Sequence, residues 1–356
     1  MIADIVNDAD IEDVEVASDP DDETLAVGYS ITSYGLDFDV DGLIRRIERD
    51  DIYIPNFQRE FVWTQAISSR FIESLLLGLP VPGIFLYRVG DGKYEVIDGQ
   101  QRLKTLQMFR DGKFNNTTFR LVGLESRFNQ KSYSELPGSD RRQLEDSIIH
   151  ATIIRQDAPD DDGSSKFSIF ERINTSARPL SAQEIRSAIF QGDFNNLLSE
   201  LNTDPNWRNL FGKVHSRKRD EELILRFLAL YYWFGKYEEP MKRFLNTFMC
   251  RNRNLELYSA KQIRSLFFNT VRTIHDQIGP KSFKPVRAVN AALCDSLMVG
   301  VARRLEHRPV RSSIRQEYDS LLHNEQFTAA ISKGTSQNEN VRRRIRFSTR
   351  TFSDVE

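Results

Sequence analysis

Apolar residues recur at helical spacing in two early segments of the chain. Leu43, Ile44 and Ile47 fall on one face, which predicts a helix over Val40–Arg49. A second helix is predicted to start after Thr64, whose side chain can cap it, and to run to about Leu77. The residues of this second helix expected to face inward are Ile67, Phe71, Leu75 and Leu76.

The next segment alternates as strands do. Gly83–Arg88 and Tyr94–Ile97 are rich in β-branched and aromatic residues, and the turn residues Gly90-Asp91-Gly92 between them predict a hairpin. A helix over Gln100–Arg110 follows. Beyond it we expect a strand at Ile148–Arg155 and an acidic loop at Asp157–Ser165.

From Lys166 onward the periodicity is almost entirely helical. The predicted helices are Lys166–Ile173, Ala182–Phe190, Asn195–Leu201, Glu221–Phe234, Lys242–Phe248, Ala260–Ile278, Val286–Glu306 and Ile314–Asn324. The fold class expected is therefore α+β, with an α/β N-terminal domain followed by an all-α helical domain. We expect a disordered acidic leader at 1–28, the α/β domain at 29–175, the helical domain at 176–335 and a basic tail at 336–356.

Charge is distributed unevenly along the chain. The net charge is −2, but no Lys or Arg precedes Arg45, and the first 44 residues hold thirteen acidic ones. The rest carries 49 basic residues against 38 acidic ones, and the run Arg342-Arg343-Arg344 adds to a basic end. Such a body attracts a polyanion, so DNA is an expected partner. The alternative is a solvated surface behind an acidic leader.

Cysteine content and hydropathy point to a reducing, aqueous compartment. Cys250 and Cys294 are the only cysteines, which suits neither a disulfide framework nor a cysteine zinc site. The longest apolar stretch, Leu223–Phe234, is interrupted by Arg226 and is too short to span a bilayer. The start of the sequence lacks the basic and apolar regions of a signal peptide. We therefore expect a cytoplasmic protein without a membrane partner.

The segment YEVIDGQQRLKTL carries the most chemistry. A strand, the pair Asp98-Gly99 and a helix form a unit whose helix start favours an anion. Arg102 offers a fork of donors to phosphate, Gln100 and Gln101 add amide groups, and Gly99 lets a ligand approach the backbone. Asp98 has three open roles: holding a metal ion such as Mg²⁺, orienting a water, or capping the helix.

Three motifs in this order resemble the GmrSD-type N-terminal domain. They are IPNFQREFVW, VIDGQQRLKTL and FERINTSARPLSAQEI, and the resemblance covers about Ile52 to Phe190. It implies a core related to the ParB and sulfiredoxin fold that hydrolyses a nucleoside triphosphate with Mg²⁺. Members of that family include restriction proteins that depend on DNA modification and sensors of phosphorothioated DNA.

The resemblance also assigns residues. Its DGQQR motif is Asp98, Gly99, Gln100, Gln101 and Arg102 here, as the catalytic segment. Nucleotide-binding positions carried over are Gln58, Arg59 and Asn174, beside Gly99 and Arg102. From the residues alone, Arg59 can instead cover a hydrophobic edge, and Asn174 can instead end a helix.

Nuclease chemistry is not evident in the sequence. Many relatives carry a second module of the His-Asn-His type, but no histidine here lies in such an arrangement, which places DNA cleavage by this chain in doubt. The basic clusters Arg217-Lys218-Arg219 and Arg303-Arg304 are candidates for DNA phosphate contacts or for solvated faces.

The expected function is thus a nucleotide-dependent defence protein that couples hydrolysis to DNA binding. The alternative is a binding module, active on DNA or nucleotide without catalysis, that recruits a separate nuclease subunit. A homo-oligomer remains open.

Overall fold

The computed structural model describes residues 14–15, 30–55, 61–158, 164–173, 180–285, 288–307 and 313–353. These residues form two compact units. The α/β unit comprises Val27–Asp161 and Ser168–Pro179, and the helical unit comprises Met1–Ala26, Asp162–Phe167 and Leu180–Glu356.

The secondary-structure elements follow one another in a simple order. Strand β1 (Val14–Glu15) belongs to the helical unit. The α/β unit then contains β2 (Ser30–Asp39), α1 (Val40–Glu48), β3 (Ile52–Tyr53), α2 (Gln65–Leu76), β4 (Ile84–Arg88), β5 (Tyr94–Asp98), α3 (Gln100–Arg110), β6 (Lys113–Phe114), β7 (Thr117–Thr118), α4 (Gly138–Glu145) and β8 (Ile148–Ala158). Helix α5 (Ser164–Ile173) contains the boundary between the units.

The helical unit continues to the end of the described chain. Its elements are α6 (Ala182–Ile189), α7 (Asp193–Leu201), α8 (Pro205–Phe211), α9 (Arg219–Trp233), α10 (Met241–Arg251), α11 (Ala260–Gln277), β9 (Val289–Asn290), α12 (Ala291–His307), α13 (Arg315–His323), α14 (Glu325–Ser332) and α15 (Asn338–Ser353). The expected α+β class, with a mostly helical region after the mixed sheet, is confirmed. Kinship with the ParB and sulfiredoxin fold stays a prediction.

A five-stranded mixed sheet organises the α/β unit. Its order is β2-β8-β4-β5-β3, with β2–β8 and β4–β5 antiparallel and β8–β4 and β5–β3 parallel. Helices α1, α2 and α3 pack their apolar residues on this sheet in one core, represented by Leu43, Ile72, Leu103 and Ile153. The sheet therefore fixes where the end of β5 and the start of α3 lie.

Local signals located most elements of this unit correctly. The helices at Val40, Gln65 and Gln100, the hairpin strands and the strand from Ile148 are confirmed within a few residues. The Oγ1 of Thr64 accepts a hydrogen bond from the Ile67 amide, as expected of a cap. The inward orientation of Ile67 is wrong: its side chain is 46% exposed, because Ser68 and Ser69 lie on the buried face instead.

The remaining differences concern longer-range structure. The acidic loop is shorter than expected, since β8 extends to Ala158 and α5 begins at Ser164, and residues 159–163 lie outside the described ranges. The helix predicted from Val286 is preceded by β9 and begins only at Ala291. In the segment expected to be disordered, Val14–Glu15 pairs in parallel with β9.

The segment expected as a basic tail is mostly helix α15. Its Arg344 is fully buried and contacts Asp295 of α12, so it contributes nothing to a basic surface. No helix in the described ranges has both the length and the apolarity needed to cross a membrane.

Candidate functional site

The turn between β5 and α3 is built around a glycine. Gly99 caps α3 with a φ of 106°, a left-handed conformation that only glycine adopts without strain. A Cβ at this position would lie 2.4 Å from Cγ2 of Ile84 on the neighbouring strand. The glycine is thus required by packing against β4. The expectation that its small size serves ligand approach is not needed to explain it.

Asp98 and Arg102 pair with each other across this turn. Nη2 of Arg102 donates to Oδ2 of Asp98 over 2.7 Å, one helical turn apart in sequence. The cap of α3 is Gly99 and not Asp98, so the capping role left open for Asp98 is wrong. The Asp98 side chain is 37% exposed, and Arg102 is its one hydrogen-bond donor within the described part of the chain.

Arg102 is held firmly but does not use all its donors. The same Nη2 also donates to the carbonyl oxygen of Gly83, over 2.9 Å. The Arg102 side chain is 14% exposed, and its Nε is buried without a hydrogen-bond partner among the described residues. A buried donor without a partner is costly, so an acceptor that reached this atom would stabilise it.

The two glutamines of the motif differ in role. The side-chain oxygen of Gln101 accepts from the backbone amides of Val62 and Trp63, over 3.0 and 3.2 Å. This contact fastens the end of the IPNFQREFVW motif to α3. Gln100 is buried at the first position of the helix. Gln101 therefore positions a loop, and its oxygen is already occupied.

Three residues carried over from the resemblance fall outside the described residues. They are Gln58, Arg59 and Asn174. Next to the first two, Phe61 packs edge-on against Phe114 and Trp63 against Phe71, both at 5.7 Å between ring centroids. The aromatic end of that motif is thus anchored in the core.

A histidine–carboxylate pair lies in the same unit, which sequence spacing did not reveal. Nδ1 of His150 on β8 and Oδ1 of Asp37 on β2 are 2.8 Å apart, although 113 residues separate them. Only the antiparallel pairing of the two strands brings them together. The alternation of Tyr34, Leu36 and Phe38 indicates a strand here, but it does not show which strand pairs with it.

Metal ligands are sparse near the turn. Within the described ranges, no three or more His, Cys, Asp or Glu side chains cluster closely enough to hold a metal ion. A magnesium ion at Asp98 would therefore be held by one carboxylate, with a phosphate ligand and water supplying the rest, which is a common arrangement for Mg²⁺.

The candidate DNA-contacting residues divide into two groups. In the first group, Lys218 pairs with Glu221 at 2.9 Å, and Arg217 lies 3.7 Å from Glu184. Arg217, Lys218 and Arg219 are all half-buried at the start of α9.

The second group contains one accessible residue, Arg303 at 37% side-chain exposure, and one buried residue. Arg303 donates to Glu306 over 2.7 Å and lies over the ring of Tyr231. Arg304 is only 3% exposed, so its expected phosphate contact is excluded by burial within the helical unit.

Comparison with known families supports the resemblance. Residues 40–191 match the family described as GmrSD restriction endonuclease, N-terminal domain. The matched range contains the Asp98–Arg102 turn and His150, and the family is one of restriction endonucleases. No curated protein matches the chain.

Proposed function

Given a GmrSD-type N-terminal domain over residues 40–191, we propose that this chain binds and hydrolyses a nucleoside triphosphate at the turn between β5 and α3. The hydrolysis serves a restriction or phage-defence system whose partner is DNA. Of the motif residues, Arg102 binds phosphate and Asp98 orients the metal-bound phosphates or the attacking water.

The state of Arg102 carries this proposal. Its Nη2 is fixed by Asp98 and by the Gly83 carbonyl, while its Nε lacks a partner among the residues described. An arginine whose position is fixed before the ligand arrives loses little side-chain entropy when it binds. Phosphoryl transfer depends mainly on such positioning and on charge neutralisation.

Asp98 fits the accompanying role. Arg102 contacts its Oδ2, so Oδ1 is left for a magnesium ion that arrives with the nucleotide or for a water. The bound ion would neutralise phosphate charge. Because a single carboxylate binds Mg²⁺ weakly, we expect magnesium to bind together with the nucleotide rather than alone.

The engagement of Gln101 favours a second candidate function. Its side-chain oxygen already accepts from the Val62 and Trp63 amides. This oxygen is therefore not available for catalysis, and fewer groups remain than the DGQQR motif contains. A domain that binds nucleotide without hydrolysing it, and that recruits a separate nuclease subunit, needs no more than this. Turnover decides between the two.

DNA contact is proposed for the helical unit. The half-buried residues Arg217, Lys218 and Arg219 at the start of α9 form the larger group of accessible candidate cations, since in the other group Arg304 is buried. Their local acidic partners reduce the net charge that they offer to phosphate. We expect binding without sequence preference, as phosphate contacts alone provide.

The experiment measures phosphate release and nucleotide affinity for all four triphosphates, with and without Mg²⁺ and DNA. We compare the unaltered chain with Arg102→Lys and Asp98→Asn. Arg102→Lys removes the planar fork and should weaken affinity by about 10- to 150-fold, the equivalent of about 1.5–3 kcal/mol for a charged hydrogen bond. Asp98→Asn should lower turnover more than affinity.

The matched control is Arg120→Ala. Arg120 also pairs with a carboxylate in the α/β unit, Glu135, over 2.6 and 2.8 Å, but on an exposed surface. This variant should leave both constants unchanged. Tight nucleotide binding without phosphate release under any condition would establish the binding module, and absence of binding would refute both functions.

A further inference from the structure

The His150–Asp37 pair is oriented for proton transfer. When Asp37 is ionised, the 2.8 Å contact requires the proton of the neutral ring to lie on Nδ1. Nε2 is then the acceptor atom, and it has no hydrogen-bond partner within the described residues. The His150 side chain is 59% exposed.

A glycine opposite the ring makes room for it. Gly35 on β2 lies beside His150, and a Cβ there would come within 2.6 Å of Cε1 and 3.2 Å of Nε2. The ring therefore rests against bare backbone and is held at its other nitrogen by Asp37. Exposed ion pairs are usually mobile, but this one is confined on two sides.

The pair lies beside the proposed nucleotide site, and Gly83 connects the two. The carbonyl of Gly83 accepts the hydrogen bond from Arg102, and a Cβ on Gly83 would lie 2.7 Å from the carbonyl oxygen of His150. The backbone of His150 and the guanidinium of Arg102 thus contact the same residue from either side.

Strand register places the side chains on a common face. A bulge between Phe85 and Leu86 pairs Phe85 with Asp98, and Phe85 also pairs with Thr152 on β8. Directly paired residues share a face, so Asp98 and Thr152 point the same way. His150, two residues before Thr152, points there as well. It lies two strands across and two residues along the sheet from Asp98, about 12 Å between the two Cα atoms by strand spacing.

We propose that His150, oriented by Asp37, is the general base that deprotonates the attacking water in nucleotide hydrolysis. This inference rests on the proposed function and adds a catalytic residue outside the DGQQR motif. Asp37 is a positioning residue, because it acts through the imidazole.

The step balances as follows. The water oxygen forms a bond to the terminal phosphorus while its proton passes to Nε2 of His150. The bond between that phosphorus and the bridging oxygen breaks, and its electron pair leaves with the diphosphate. The imidazolium then carries one positive charge, which the Asp37 carboxylate at Nδ1 stabilises, and it releases the proton to solvent after product departure.

The neighbouring charges are compatible with this role. On β2, Asp39 shares the face of Asp37, but it caps α1 by accepting from the Gly42 amide. On the other side, Asp98 is neutralised by Arg102. Asp37 is therefore the carboxylate that acts directly on the imidazole.

The test uses the full chain with Mg²⁺ and whichever triphosphate it hydrolyses. His150→Gln should lower kcat by about 10²- to 10⁴-fold, the usual contribution of a general base, and leave nucleotide affinity unchanged. The fall in rate toward acidic pH should disappear in that variant. Added imidazole should restore part of the rate to His150→Ala, which no purely structural role predicts.

Two further variants sharpen the result. Asp37→Asn should lower kcat less than His150→Gln, because the base remains but its tautomer is no longer fixed. The control is His275→Gln, which removes another histidine hydrogen-bonded to a carboxylate, Asp276 at 2.9 Å, in the helical unit. It should leave kcat unchanged.

Specific results would overturn the inference. If His150→Gln keeps kcat within about threefold of the unaltered chain while Arg102→Lys still weakens binding, the general-base role fails and the proposed function stands. If the unaltered chain hydrolyses no triphosphate, the proposed hydrolysis itself fails and the base has no reaction to serve.

Discussion

A buried carboxylate with two arginines links three helices of the helical unit. Oδ2 of Asp295 on α12 accepts from Nη2 of Arg226 on α9 over 2.7 Å. Its two oxygens also accept from Nε and Nη2 of Arg344 on α15, each over 2.9 Å. All three side chains are at most 5% exposed. One negative charge thus balances two positive ones in the interior.

Asp295→Ala should be strongly destabilising. It leaves two buried guanidinium groups without a counter-charge, and removing one partner of a buried pair typically costs about 3–5 kcal/mol. The matched control is Asp319→Ala, which breaks the exposed pair between Arg315 and Asp319 in α13. Exposed pairs contribute about 0–1 kcal/mol, so the control should remain close to the unaltered chain.

Tryptophan fluorescence during urea unfolding measures this difference. Trp207 and Trp233 lie in the helical unit, whereas Trp63 lies in the α/β unit, so a Trp63→Phe background reports on the helical unit alone. The shift in urea midpoint, multiplied by the slope, gives the change in unfolding free energy. A loss in Asp295→Ala within about 1 kcal/mol of the control would refute the reasoning.

An apolar replacement separates charge from packing in the same assay. Combining Asp295→Leu with Arg226→Met and Arg344→Met removes all three charges while filling much of the volume. Such replacements are often neutral or stabilising, so the triple variant should recover most of the stability lost in Asp295→Ala. Failure to recover would show that the arginine stems and their other hydrogen bonds matter more than the charge imbalance.

Three other predictions concern the turn between β5 and α3 and the basic residues at the start of α9. Gly99→Ala should cost about 2–4 kcal/mol in unfolding free energy and lower nucleotide affinity, because its Cβ would overlap Ile84; a normal melting temperature would contradict this. Arg217→Ala should reduce the slope of log DNA affinity against log salt by about 0.9, whereas Arg304→Ala should change only stability; equal slopes would exclude Arg217 as a phosphate contact. Burial, then the charge of Arg219, lowers the pKa of His215 in the folded protein. The contribution of neutral His215 to stability is therefore present above the unfolded pKa of 6.5 and is lost as the pH falls through the folded pKa. The melting temperature of His215→Ala, measured against pH, should lack that loss.

Local sequence signals predicted the elements around the motif well. The cap at Thr64, the glycine turn between β4 and β5, and the helix from Gln100 depend on residues a few positions apart. Such short-range patterns are readable without knowledge of the fold. The strand–turn–helix arrangement of the candidate site was therefore accessible from the sequence.

Features that depend on distant residues were not accessible. Arg344 in the basic run looked like part of a charged tail, because nothing nearby in sequence shows that Asp295 balances it. Likewise the alternating apolar residues of β2 indicate a strand, but not that this strand pairs with β8 and brings Asp37 to His150. Sequence periodicity reports which face is buried, but not which partner fills it.

The contact between Asp98 and Arg102 changes how the motif must be tested. The sequence alone predicts separate roles for the two residues, toward metal and toward phosphate, whereas in the structure each is the other's partner. Removing Asp98 leaves the Arg102 Nη2 held by the Gly83 carbonyl alone, and removing Arg102 takes from the Asp98 carboxylate its one donor among the described residues, so either alanine variant disturbs both residues. A loss of turnover in one alanine variant alone does not assign a role. The isosteric Asp98→Asn keeps the shape and a hydrogen-bonding oxygen while removing the charge, and Arg102→Lys keeps the charge while removing the fork. Only a pair of opposite effects, on turnover in the first and on affinity in the second, distinguishes a catalytic carboxylate from one that simply holds its arginine.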